Sequence, residues 1–190
     1  QSANNGLGDV YITGFTAAMR IKQFAMCPFD AIATGVSTFC GQNLGAGETD
    51  RIKKGILQGV FVGMAYGLVA GIVLIFFGRT LTLFVKPSAT AVLDASAKYL
   101  RCLGFFYWSL GILNTCRMTT QGLGYSGRAI LSGAVEMAAR CFVSLALVPI
   151  FHFDAICFAD QSAWITATLY IVPTCLLVVR SIEKKRKECK

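Results

Sequence analysis

Between residues 13 and 41, Thr13, Thr16, Arg20, Gln23, Cys27, Asp30, Thr34, Ser37 and Gly41 recur at alternating steps of three and four. In a helix this spacing places polar or small groups on one face. At about 1.5 Å per residue the stripe extends roughly 42 Å. Lipid cannot satisfy such a face, so it must look onto other helices or onto water. Its one carboxylate is Asp30. A membrane carboxylate costs about 2.5–3.5 kcal/mol on insertion scales and is by default a candidate for holding a cation or a proton. The plainer reading is that Arg20 and the hydroxyls bond neighbouring helices.

Two further constellations carry charge. Ser132, Glu136 and Arg140 step by four. Glu before Arg at i,i+4 is the favourable order for an intrahelical ion pair; a protonatable carboxylate in a proton route is the sharper alternative. Tyr107, Asn114, Arg117 and Gln121 share a helical face. Tyr107 and Trp108 offer aromatic surface suited to an organic cation, or equally to lipid or core packing.

Elsewhere the chemistry thins out. The only histidine, His152, lies beside Asp154 in an expected short loop with no companion nucleophile. None of the eight cysteines forms a C-x-x-C pair. Most fall in apolar stretches, where a thiol behaves as a small hydrophobe, so neither a disulfide framework nor a metal site is expected. Gly122-x-Gly124-x-x-Gly127 formally matches the dinucleotide fingerprint. No strand precedes it and the following acid, Glu136, falls within a helix, so the match is accidental. Neither an enzyme nor a cofactor is expected.

The elements that must position these groups follow from composition. The 190 residues are 55% hydrophobic and only 15% charged, with a mean hydropathy of +0.59. Soluble chains run nearer 25% charged. Residues 55–78 are 24 consecutive positions without a charge, and 161–179 are another 19. A bilayer core needs roughly 20 apolar residues per helix, which predicts an all-α integral membrane bundle. Five transmembrane helices are expected, at about 11–41 (with Pro28 as a kink), 52–84, 91–119, 129–151 and 163–182 (containing Pro173). A basic tail, 183–190, follows. In the second helix Gly55, Gly59, Gly63, Gly67 and Gly71 form a ridge at strict four-residue spacing, which predicts close helix packing.

The net charge of +8 is not spread evenly. Arg51, Lys53, Lys54, Arg117, Arg128 and six basic residues from Arg180 onward fall on one side of the five spans, against Arg79, Lys86, Lys98 and Arg101 on the other. Eleven against four predicts a cytoplasmic C-terminus by the positive-inside rule. No nucleic-acid partner is expected. The lipid bilayer is the partner, with anionic headgroups facing the tail.

The turn GQNLGAGETDRIKKG resembles the MATE (multidrug and toxic compound extrusion) transporters, with Gly41, Gln42, Asn43, Gly45 and Gly47 standing in the family's cytoplasmic GQN-x-GAG turn. The stretch YLRCLGFFYWSLGILNTCRMTTQGLGYSGRAILSGAVEMAAR is similar to the fourth and fifth helices of the family's carboxy-terminal lobe. Together the resemblance covers about residues 11–181, and the chain looks like helices two to six of a six-helix lobe.

The resemblance implies a twelve-helix antiporter with two lobes around a central cavity, exporting organic cations and other xenobiotics in exchange for Na⁺ or H⁺. It implies a multi-pass place in a bacterial-type inner (plasma) membrane, and as partners the amino-terminal lobe of the same transporter and a small organic cation. Substrate and ion-pathway residues are then expected among Asp30, Arg20, Gln23, Thr34, Asn114, Tyr107, Glu136 and Arg140. Two departures stand out. The lobe's first helix is absent, and an acid found mid-membrane in the lobe's fourth helix in some branches is missing, since Asp94 sits at that helix's outer start. Asp30 and Glu136 are left as the only deeply placed carboxylates. The alternative expectation is a membrane scaffold or accessory subunit without transport activity of its own.

Overall fold

A computed structural model describes residues 9–85, 90–146 and 153–188. They form five α-helices: α1 Asp9–Gly45, α2 Thr49–Val85, α3 Thr90–Gly122, α4 Ser126–Ala146 and α5 Phe153–Glu188. No strand occurs among the described residues. Residues 86–89 between the second and third expected helices, the expected end of the fourth at 151 and His152 lie outside the described residues.

Helices α2, α4 and α5 contain stretches long and apolar enough to cross a membrane, at Thr49–Phe84, Ser126–Ala146 and Phe158–Glu188. α1 and α3, of 37 and 33 residues, match them in length but carry internal charges. At about 1.5 Å per residue each of these two exceeds a hydrocarbon core of about 30 Å. Their polar groups therefore need the cover of neighbouring helices. The described residues form a multi-pass bundle of membrane helices.

Three boundaries differ most from the sequence reading. α1 continues through the GQN-x-G segment to Gly45, and α5 starts at Phe153 rather than 163 and runs on to Glu188 instead of releasing a tail at 183. Basic residues suit the last turn of a helix, where Lys185, Arg186 and Lys187 lie. The basic tail expected from 183 is thus the closing stretch of α5.

The chain divides into two compact units, and each helix gives one segment to each. The first comprises α1 through Cys27, the chain from Leu68 to Tyr107, α4 from Met137 and α5 through Ala163. Its centre is α3, whose Tyr99, Leu100, Leu103 and Tyr107 are fully buried. Phe15 of α1 meets Tyr99 edge-on, with ring centroids 5.1 Å apart. A methyl group at Gly71 of α2 would strike the Gly104 carbonyl of α3, so the two backbones run in near contact.

The second unit holds Pro28–Gly67, Trp108–Glu136 and Trp164–Lys190. Here a Cβ at Gly63 would lie 3.0 Å from the Cα of Gly111, and one at Gly59 or Gly55 would fall on Val36 or Phe39 of α1. The glycine ridge is a packing surface in both units. Cys40, Ile52, Leu123, Val178 and Val179 form an apolar cluster. On the outward face of α2, Leu57 and Phe61 are exposed, as expected where lipid replaces water.

Candidate functional site

Charged side chains within membrane helices must find partners, because the surrounding medium offers none. In the first unit Lys22, in the interior of α1, is only 5% exposed. Its own helix offers Ala18, Met19, Ala25 and Met26 at the neighbouring i±3 and i±4 positions, so relief must come from another element. Asp160, in the second turn of α5, provides it: Lys22 Nζ lies 2.5 Å from Asp160 Oδ2. Tyr99 Oη of α3 donates to the same oxygen at 2.5 Å. Arg140 Nε of α4 stands 3.2 Å from Asp160 Oδ1. Four helices thus converge on one carboxylate whose side chain is 13% exposed. The Tyr107 hydroxyl donates to the Lys22 carbonyl at 3.2 Å, tying α3 to α1 beside the cluster.

In the second unit the carboxylates are held differently. Arg117 Nη2 of α3 donates to Glu136 Oε2 of α4 at 2.6 Å, and its Nε and Nη2 both reach Ser132 Oγ at 3.2 Å. The pair is largely buried, with side chains 23% and 15% exposed. Asp30 is exposed. Its recorded hydrogen bond comes from Asn114 Nδ2 at 3.4 Å, near the long limit for such a contact. Thr34, one turn further along α1, is exposed as well.

The GQN-x-GAG segment ends α1 with a left-handed cap. The Glu48 amide donates to the Asn43 carbonyl at 2.8 Å, and the Gly47 amide to that of Leu44 at 3.0 Å. Gly47 has φ +72°, a conformation glycine adopts without the Cβ clash of other residues. The same pattern recurs at the end of α3, where Tyr125 bonds Thr120 and Gly124 bonds Gln121, with Gly124 at φ +89°. The glycines that mimic a dinucleotide fingerprint thus include a helix cap. Gln42 and Gly45 are exposed, Gly41 is half-buried, and Asn43 is buried with its amide on the Phe39 carbonyl at 2.8 Å.

Measured against the expected site, the structure brings Asp30 and Asn114 together and leaves Arg20, Gln23 and Thr34 exposed on α1. It puts Tyr107 in the core at 0% exposure, because at that depth this face of α3 packs against α1. Glu136 pairs across to Arg117, and Arg140 stands against Asp160. The reading of Asp30 and Glu136 as the only deeply placed carboxylates is corrected by Asp160, which lies inside α5 rather than in a loop. A signal for it was available: a lysine inside an apolar helix with no acid on its own face requires one from elsewhere.

The chain matches the MatE family model over residues 3–145. It is 32% identical over 113 residues to the probable multidrug resistance protein YpnP of Bacillus subtilis (strain 168), covering 58% of this chain and 25% of that protein. It is also similar to a solved inward-facing multidrug resistance MATE family transporter of the MOP superfamily, with a TM-score of 0.80 at 14% identity. That likeness covers 92% of this chain and 43% of the transporter. The chain therefore spans a quarter to less than half of the length of these relatives. With the family model matching residues 3–145, well more than half its length, the chain belongs to the MatE family.

Proposed function

We propose that this chain is the carboxy-terminal part of a cation-coupled multidrug antiporter, exporting organic cations by alternating access in exchange for Na⁺ or H⁺. The observation that carries this reading is Asp30: a carboxylate on an exposed polar face of a membrane helix, held by one long amide contact. An acid left so open is available to a cationic substrate or a coupling ion. Release follows when a proton or Na⁺ takes the same charge. In inverted-repeat transporters such sites face the partner bundle, and rocking of one bundle against the other exposes them to each side in turn. The polar face of α1 then lines the path, with Arg20, Gln23 and Thr34 flanking Asp30 and Asn114 orienting its carboxylate. The partner bundle is the amino-terminal lobe, and the setting a bacterial-type inner membrane with the basic end of α5 in the cytoplasm.

The test is Asp30→Asn in the complete transporter at equal expression. Export of an organic cation driven by an imposed Na⁺ or H⁺ gradient should fall at least about tenfold, in line with loss of a charge-assisted contact to the transported cation. Unchanged export and unchanged coupling would remove Asp30 from the mechanism.

A further inference from the structure

At the end of the second unit where α2 begins and α5 closes, a cavity of about 540 Å³ opens between these two helices and α3. Its size falls within the range of about 300–1,000 Å³ common to sites for small molecules. The lining is segregated by polarity. Lys53 of α2 and Arg180 and Glu183 of α5 lie at one end, while Leu57, Val60 and Leu176 continue the wall. From Lys53 to Val60 the wall extends about 10 Å at the helical rise. Lys53 and Glu183 are ion-paired across the two helices, which fixes the charged ends side by side. Leu57 and Leu176 are 72% and 54% exposed, so the apolar wall opens outward to the surroundings of a membrane protein.

Two cations and one acid leave this mouth net positive, directly above an apolar wall. A soluble anion would meet the cations and leave the wall unused. A zwitterionic lipid would bring its own cation against Lys53 and Arg180. We propose that the cavity binds an anionic phospholipid, its phosphate at Lys53 and Arg180 and one acyl chain along Leu57, Val60 and Leu176. Each basic residue near an anionic headgroup contributes a factor of about five in affinity, so the two cations set the preference and the wall sets the requirement for a chain.

The experiment is native mass spectrometry of the whole chain released from detergent, titrated with phosphatidylglycerol, with phosphatidylcholine of the same acyl chains, and with glycerol phosphate. The site retains phosphatidylglycerol at least about fivefold better than phosphatidylcholine, and glycerol phosphate does not compete. Arg180→Gln lowers that retention about fivefold. Val60→Trp, which fills the apolar wall and leaves both cations in place, lowers retention of both lipids. Equal retention of the two lipids, competition by glycerol phosphate, or an indifferent Arg180→Gln would overturn the proposal. A photoreactive amino acid at Leu57 in native membranes supplies an independent readout. A phospholipid adduct supports the site, and a protein cross-link in its place assigns the groove to another helix and overturns it.

Discussion

Asp160 and Asp30 are both aspartates on membrane helices, and their surroundings are opposite. Asp160 is approached by a lysine, a tyrosine hydroxyl and an arginine from three other helices. Asp30 is exposed and, among the described residues, has a single long amide contact from Asn114. A carboxylate whose oxygens are already occupied by protein cations is organised to hold helices in register. One with its lone pairs largely open contributes little to that register, which is why the proposed function rests on it. Two aspartates within membrane helices can therefore differ wholly in how far their hydrogen-bonding capacity is met.

The largest expected effect tests the structural end of this contrast. Asp160→Ala or Lys22→Ala should each destabilise the chain by about 3–5 kcal/mol, the cost of leaving a buried charge without its partner. Reversible unfolding in mixed micelles measures it, and a loss near zero for both would break the comparison. Tyr99→Phe keeps the ring that packs on Phe15 and removes only the hydroxyl. About 1.5–3 kcal/mol is expected for a hydrogen bond to a charged acceptor. A value near zero would mean that the two cations alone hold Asp160.

Smaller effects sharpen the other end. The Arg79–Asp94 pair spans 3.3 Å with both side chains more than half exposed. Arg79→Gln should cost less than about 1 kcal/mol, as exposed pairs do. That separates burial from mere pairing as the source of the Asp160 effect. Asp30→Asn should leave stability within about 0.5 kcal/mol, the range of substitutions away from structural features, while reducing export in the complete transporter. A large stability loss here would place Asp30 in the same class as Asp160.

Much of α1 was legible from its residues, because a helical face repeats with a fixed period and Asp30 lies on the polar one. The glycine ridge was legible for the same reason, since only close backbone approach rewards five glycines in register. Lys22 called for an acid from another helix, but Asp160 itself could not be placed, because polar residues ahead of an apolar run read equally as a loop or as the first turns of a helix. Tyr107 and Asn114 are seven residues apart and share a face of α3. Even so, Tyr107 is buried against the Lys22 carbonyl while Asn114 reaches Asp30. One face of a long helix meets different neighbours at different depths, and periodicity carries no information about depth. Glu136 likewise had an acceptable partner at Arg140 on its own helix, and the hydrogen bond to Arg117 depends on how α3 packs against α4.

By itself the sequence determined that the chain is a bundle of membrane helices, which of their faces are polar, and where the glycine-bearing turns between α1 and α2 and between α3 and α4 fall. These are properties of composition and of the helical repeat, and both are local. The tertiary structure alone decided which charges neutralise one another. Ion pairing between helices depends on rotation and depth about each axis, and those are set only when the helices pack. The same packing made one aspartate a fastener among four helices and left another exposed on the polar face of α1.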